Sequence, residues 1–139
     1  VAIFNNHPGA DAEILRLYGE RSWNNPVMRF LRPDGAELLP RLADRYDPLG
    51  LHEKLSTALQ MLDGDVPSYF RLLGRDLLIE SGLNGNAVYM TPCFWSGETS
   101  LAQHPAVITT DAGWVDGEEA VQVQFDPKAV TRADLNALT

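Results

Sequence analysis

The chain has 139 residues, 45% of them hydrophobic, and a formal net charge of −8. This length and composition suit one ordinary domain, or two very small ones, with a packed core. The acidic charge, with no cluster of Lys or Arg, argues against nucleic acid and anionic membranes as partners. No apolar run approaches the roughly 20 residues that cross a bilayer, and residues 1–6 lack the basic start and apolar stretch of a signal peptide. We therefore expect a cytoplasmic protein.

The single cysteine, Cys93, limits the redox and metal chemistry of the chain. It rules out an internal disulfide, a Cys-x-x-Cys pair and a multi-cysteine zinc site within these residues. The three histidines, His7, His52 and His104, are far apart and lack metal-ligand spacing. We expect neither a metal nor a cofactor.

The first third of the chain alternates strand and helix patterns. Residues 1–4 predict a short apolar strand, and Pro8 suits the first turn of a helix. The apolar positions of that helix repeat at helical spacing: Ile14, Leu15, Leu17 and Tyr18. After a break at the Asn-Pro pair 25–26, residues 27–39 predict a hairpin whose turn is the Asp-Gly pair 34–35.

Two further helices and a boundary are predicted before residue 87. A helix begins around Asp47, and its expected buried stripe is Leu51, Leu55, Ala58, Leu59 and Leu62. Residues 66–81 predict another helix, and residues 81–86 have the turn chemistry of a domain boundary. We therefore expect a domain over 1–65, a helical linker over 66–86 and a second domain over 87–139.

The second domain is predicted to run strand, helix, strand, strand, helix. Residues 87–90 form the first strand, Cys93 opens the helix and the His-Pro pair 104–105 ends it. Two strands over 107–114 and 119–125 follow, joined at an Asp-Gly turn, and Thr131 caps a final short helix. Both halves are mixed, so the fold class is α/β (α+β).

Cys93 is placed where thiol chemistry is favoured. It follows a strand and opens a helix, where backbone N–H groups and the helix dipole favour a thiolate over a thiol. Phe94 and Trp95 come directly after it and can form an aromatic wall beside the sulfur. The alternative is a lone cysteine packed as a small hydrophobic side chain.

A predicted hairpin brings Glu119 beside Trp114. The two-residue turn sets the register, and the other expected pairs are Val115–Glu118, Ala112–Val121, Thr110–Val123 and Ile108–Phe125. The face that carries Trp114 is apolar except at Glu119, so this carboxyl is expected to be partly desolvated. A desolvated carboxyl favours its neutral, proton-donating form, which suits a general acid. The alternative is that Glu119 reaches solvent beside Glu118.

Three ordered blocks of the second half resemble the A-type peptide methionine sulfoxide reductases. Residues 90–98, MTPCFWSGE, are similar to the Gly-Cys-Phe-Trp-Gly segment of that family, and residues 104–114, HPAVITTDAGW, are similar to its Pro-Gly-Val, strand, Gly-Tyr segment. Residues 119–127, EAVQVQFDP, resemble its Glu-Ala-Val, strand, Tyr-Asp-Pro segment. The resemblance covers about residues 87–138 and implies a minimal ferredoxin-like domain.

The resemblance also implies a set of roles. Cys93 matches the nucleophile, Phe94 and Trp95 match the residues that hold the substrate methyl group, and Glu119 matches the carboxyl that protonates the sulfoxide oxygen. Trp114 stands where the family has a tyrosine that binds that oxygen. The implied reaction forms a sulfenic acid on the cysteine, which an external thiol then reduces.

The chain departs from the family pattern at three points. Pro92 replaces the glycine before the nucleophile and removes a backbone donor. Trp114 replaces a hydroxyl by an indole N–H, which still donates. The long family loop before Glu119 is reduced to a tight turn.

Residues 1–62 resemble the second half of a thioredoxin-like domain. Pro26 stands before the strand at 27–31, VMRFL, where that family has a cis-proline. The first strand and the helix with the redox cysteines have no counterpart, so no redox activity carries over to this half. The alternative is that Pro26 simply ends a helix.

The leading interpretation is thus a thiol-dependent enzyme that reduces methionine sulfoxide or a related small oxidised substrate. Two alternatives stay open: a non-catalytic binding or assembly module, and a thiol redox sensor, both descended from the same fold. Unpaired strand edges also favour pairing between copies, so a homodimer is an expectation.

Overall fold

The computed structural model describes residues 2–4, 6–21, 26–43 and 45–139. Within them the protein is mixed α/β, with two small antiparallel sheets and five helices. The chain divides into two compact units, Val1–Val66 and Pro67–Thr139. None of the helices in the described ranges is long and apolar enough to cross a membrane.

The first unit contains a helix, a hairpin and a second helix. They are α1 (Ala10–Leu17), β1 (Met28–Leu31), β2 (Glu37–Leu42) and α2 (Pro48–Asp63). The predicted hairpin is confirmed: β1 and β2 pair antiparallel, and Gly35 has a φ of 84° in the turn. The predicted strand over 1–4 is wrong for residues 2–4, which have no regular secondary structure, and Val1 and Asn25 lie outside the described residues.

The start of α2 follows the prediction, whereas its buried face does not. Asp47 is the N-cap, and its carboxylate accepts a 2.7 Å hydrogen bond from the N–H of Gly50. Ala58 is buried as expected, but Leu55 and Leu62 are exposed. The short hairpin of this unit covers only part of α2. The remaining apolar side chains of the helix therefore stay exposed.

The second unit has three helices and a three-stranded sheet. They are α3 (Ser68–Glu80), β3 (Gly85–Met90), α4 (Phe94–Ala102), β4 (Val107–Val115), β5 (Glu118–Phe125) and α5 (Arg132–Asn136). The strand order is β3-β5-β4, and both pairs are antiparallel. Helix α3 spans most of the predicted 66–86 linker and lies within this second compact unit.

The β4–β5 hairpin has the predicted register over most of its length. Trp114 pairs with Glu119 across the turn, where Asp116 and Gly117 both have positive φ, as a tight two-residue turn requires. The predicted pairing of Ile108 with Phe125 is wrong. An irregularity between residues 107 and 109 shifts the register, and Val107 takes the place opposite Phe125; an extra residue in one strand has this effect.

One face of this sheet carries the core of the second unit. The buried core side chains are Tyr89, Leu101, Val107, Val121, Val123, Phe125, Val130 and Leu135. Helix α4 contributes Leu101 and α5 contributes Leu135, each fully buried. The predicted cap of α5 is confirmed, because Thr131 and Asp134 form a reciprocal capping box. These contacts hold α4 on the sheet and place its first turn near the beginning of β5.

Candidate active site

The link between β3 and α4 places Cys93 at a helix start. The N–H of Thr91 bonds the carbonyl of Glu119 at 2.9 Å, which ties the chain after β3 to the beginning of β5. Cys93 is then the N-cap of α4, in an extended conformation (φ −152°, ψ 114°), and its carbonyl accepts from the N–H of Gly97 at 3.0 Å. Cys93 therefore stands at the N–H end of the helix, although its side chain makes no capping hydrogen bond.

A close approach of Thr91, in the link after β3, to α4 constrains this geometry. Gly97 is buried, and a Cβ atom built on it would lie 2.6 Å from Cγ2 of Thr91. Any larger residue there requires Thr91 or the helix to shift. The packing of Thr91 under α4 thus determines where the first turn, and with it Cys93, lies on the sheet.

The surroundings of Cys93 favour its thiolate. The side chain is half-buried. The backbone N–H of Ser96, then its hydroxyl and, less strongly, the N–H of Trp95 lower the pKa of Cys93, while desolvation and the charge of Glu119 oppose them. The donors prevail, so the pKa of Cys93 lies below its ordinary value. This direction agrees with the expectation from the sequence.

Glu119 is in direct contact with the same helix start. Its Oε2 accepts a 2.6 Å hydrogen bond from the backbone N–H of Phe94, the first residue of α4. The side chain is half-buried, whereas Glu118 is exposed. Glu119 therefore points to the helix end and does not extend into solvent beside Glu118. It serves as a cap for an N–H that the helix itself leaves unpaired.

Three aromatic rings lie at the start of α4. Phe94 packs against the core, its ring lies 5.0 Å from that of Trp95, and it meets Trp114 edge-on at 5.8 Å. Trp95 and Trp114 are 70% and 63% exposed. The structure thus brings together all five predicted site residues at one end of the sheet. The aromatic surface is open, so a substrate on a larger molecule can reach it.

Three neighbouring residues were missed or misjudged from the sequence. Ser96 was not singled out, although its position three residues after an N-cap is where capping interactions occur. Glu98, the last residue of the motif at 90–98, is half-buried and accepts a 3.1 Å hydrogen bond from the hydroxyl of Thr110. The buried hydroxyl of Thr91 has no hydrogen-bond partner among the described residues; no sequence pattern signals it.

The described residues contain no group of three His, Cys, Asp or Glu side chains arranged to hold a metal ion. Comparison with known protein families, curated proteins and solved structures gives no match. The site combines a half-buried thiol of lowered pKa, a carboxyl at the same helix end and an aromatic surface. These groups suit nucleophilic attack on a polarised bond in a substrate that also has an apolar part.

Proposed function

We propose that the protein reduces methionine sulfoxide, or a related small oxidised sulfur compound, through Cys93. One observation supports this most directly: the nucleophile and a carboxyl group share the first turn of α4. Cys93 is its N-cap and Glu119 bonds the N–H of Phe94 at 2.6 Å. A reaction that needs a thiolate and a proton donor on the same substrate requires this proximity.

In the proposed reaction the thiolate of Cys93 attacks the sulfoxide sulfur. The attack forms an S–S bond while Glu119 delivers a proton to the sulfoxide oxygen. The S–S and S–O bonds of this intermediate then break as the hydroxyl passes to the cysteine sulfur, which releases the sulfide and leaves a sulfenic acid on Cys93. Substrate sulfur gains two electrons and the cysteine sulfur loses two. An external thiol then displaces water to form a mixed disulfide, and a second thiol releases the free cysteine and a disulfide.

The aromatic residues supply binding. A methylthio group is apolar and polarisable, and such groups pack favourably on aromatic rings. Phe94 and Trp95 offer those rings. The indole N–H of Trp114 is a donor for the sulfoxide oxygen. The partners that this proposal requires are a methionine sulfoxide substrate and an external thiol reductant.

The fold proposal accompanies the chemical one. We propose that residues 87–138 form a minimal ferredoxin-like domain of the sulfoxide-reductase type and that residues 1–62 are a partial thioredoxin-like domain. The order of β3, α4, β4, β5 and α5 is in keeping with the first, and the helix, hairpin and helix of the first unit with the second.

A thiol redox sensor is the second candidate. The openness of the site favours it, because Trp95 and Trp114 are largely exposed and enclose no substrate. In a sensor, Cys93 is oxidised by a peroxide and reduced by a thiol, and no methionine is released.

Turnover separates these functions. A peptide with one methionine sulfoxide is incubated with the protein and dithiothreitol, and methionine formation is followed by chromatography. The proposal expects turnover that Cys93→Ser abolishes. Oxidation of Cys93 by peroxide, trapped as a dimedone adduct without any turnover, would instead support the sensor. A thiol that reacts with neither reagent until the protein unfolds would contradict both.

A further inference from the structure

We propose that Glu98 and the exposed indole of Trp95 form a subsite for a lysine or arginine side chain of the substrate. The inference rests on the function proposed above, because it names the substrate class: a peptide whose methionine sulfoxide has a cationic residue close by. Binding of the cationic side chain itself can be measured without any turnover.

The carboxylate of Glu98 is held in place on the surface of α4. It is half-buried, and one of its oxygens accepts a 3.1 Å hydrogen bond from the hydroxyl of Thr110 on β4. No lysine, arginine or histidine in the described parts of the chain forms an ion pair with it. A carboxylate that is partly removed from water and has no counter-charge gains from a cation that supplies one.

The helix places an aromatic ring next to this carboxylate. Trp95 precedes Glu98 by three residues, and side chains at this spacing are neighbours on a helix surface. Trp95 is 70% exposed, so its indole has surface for a second group besides the methylthio group proposed above. Indole is the best aromatic partner for a cation. Ring and carboxylate can therefore bind the same cationic side chain.

The charge around the site selects the sign of the ligand. From residue 76 to residue 127 the sequence contains acidic residues but no lysine or arginine. This segment includes β3, α4, β4 and β5, so every element that contributes to the site comes from it. A surface of one sign attracts ligands of the opposite sign and disfavours those of the same sign. We therefore expect basic peptides to be preferred and acidic peptides to be poor substrates.

The helix geometry also sets a spacing for the ligand. Glu98 lies four residues after Phe94 on α4, and a helix rises about 1.5 Å per residue, so the two are roughly 6 Å apart along the axis. In an extended peptide, residues two positions apart are about 6.6 Å apart and point to the same side. A cationic residue two positions from the sulfoxide therefore reaches Glu98 while the sulfoxide lies at Phe94.

The first test compares kcat/KM for peptides that contain one methionine sulfoxide and carry Lys, Gln or Glu two positions away on both sides. At low salt the Lys peptide should exceed the Gln peptide roughly three- to tenfold, as an exposed ion pair and a cation–π contact together provide. The Glu peptide should be the poorest. The preference should shrink in about 0.5 M NaCl because salt screens the charges.

A variant and its control assign the preference to one carboxylate. Glu98→Gln removes the charge and keeps an oxygen that can accept from Thr110, so the fold is expected to persist. It should bring the preference for Lys over Gln below about twofold. Asp111→Asn removes an exposed charge next to Thr110, but successive strand residues point to opposite faces. The preference should persist in this control.

A binding measurement separates the subsite from the proposed function. The Lys peptide with an unoxidised methionine is titrated into isotope-labelled protein, and the indole N–H signals of Trp95 and Trp114 are followed by NMR. Shifts that weaken in Glu98→Gln, in a protein that reduces no sulfoxide, would support the subsite and contradict the function. Equal kcat/KM for the Lys, Gln and Glu peptides, or a preference that Glu98→Gln leaves intact, would overturn the inference while the function stands.

Discussion

Oε2 of Glu119 and the backbone N–H of Phe94 are 2.6 Å apart, and the residue before Phe94 is the cysteine of the site. Two groups that can lose a proton, the thiol of Cys93 and the carboxyl of Glu119, thus lie at the same helix start. Their repulsion opposes the thiolate of Cys93, and Ser96 offsets it. In the proposed reaction this repulsion falls when the carboxyl carries a proton, which is also the state in which it can act as an acid. In the proposed reaction, proton delivery by Glu119 and attack by the thiolate of Cys93 are therefore coupled through one helical turn.

Replacement of Glu119 by glutamine should change thiol reactivity and turnover in opposite directions. The amide keeps an oxygen that can accept from Phe94, so the fold is expected to persist. Because the charge that opposes the thiolate is gone, the pKa of Cys93 falls further and iodoacetamide reacts faster near pH 7. Sulfoxide reduction should drop about 10²- to 10⁴-fold, the usual contribution of a general acid.

The control for this variant is Glu118→Gln, which removes the same charge from the exposed neighbour. It should leave both rates close to those of the wild type. Equal turnover in Glu119→Gln and wild type would remove Glu119 from the mechanism.

The alkylation of Cys93 should show the lowered pKa directly. Only the thiolate reacts, so the rate rises through the pKa and levels off above it. In the folded protein the midpoint should lie below the ordinary value of about 8.5, whereas in urea it should return to that value because the helix donors are lost. A common midpoint in both states would contradict the site described here.

The sequence predicted the parts of this site that depend on local pattern. The Asp-Gly turn fixed the pairing of Trp114 with Glu119, and the end of β3 placed Cys93 at a helix start. It failed where the outcome depends on tertiary contact. The irregularity at Ile108 adds a residue that no turn rule reveals. The hydrogen bond that the N–H of Phe94 donates to Glu119 joins residues 25 apart. The exposure of Leu55 and Leu62 likewise depends on how little sheet faces α2.

Gly97→Ala should destabilise the second unit although alanine is the better helix former. The added Cβ would lie 2.6 Å from Cγ2 of Thr91, so α4 or the buried Thr91 side chain has to shift. We expect a cost of about 1–3 kcal/mol for this overpacking, which exceeds the gain of about 1 kcal/mol in helix propensity. Urea unfolding measures the difference.

Two comparisons make this prediction specific. Gly113→Ala adds a Cβ with no neighbour within 4 Å and should be nearly neutral. Addition of Thr91→Ser to Gly97→Ala removes the clashing methyl group and should restore part of the lost stability. A Gly97→Ala protein as stable as the wild type would show that α4 is not held by this contact.

The capping box of α5 should contribute a pH-dependent stability. The hydroxyl of Thr131, and then its backbone N–H, lower the pKa of Asp134 in the folded state. A depressed carboxyl pKa stabilises the fold above the unfolded pKa of about 3.9, and this stability is lost as the pH falls through the folded pKa. Asp134→Asn should therefore be less stable than the wild type at pH 7, and the gap should close toward pH 2. A gap that is constant with pH would contradict this assignment.

Trp114 should contribute to turnover through its indole N–H and not through its ring alone. Trp114→Phe keeps an aromatic partner for the edge-on contact with Phe94 but removes the donor that we assign to the sulfoxide oxygen. We expect kcat/KM for a methionine sulfoxide peptide to fall about 3- to 12-fold, as for the loss of a neutral hydrogen bond. Trp114→Tyr supplies a hydroxyl in place of the N–H and should retain more activity than Trp114→Phe. Alkylation of Cys93 should be the same in both variants, because neither changes a charge or a donor at the sulfur. Equal loss of turnover in the two would mean that ring shape, and not hydrogen bonding, is what Trp114 provides.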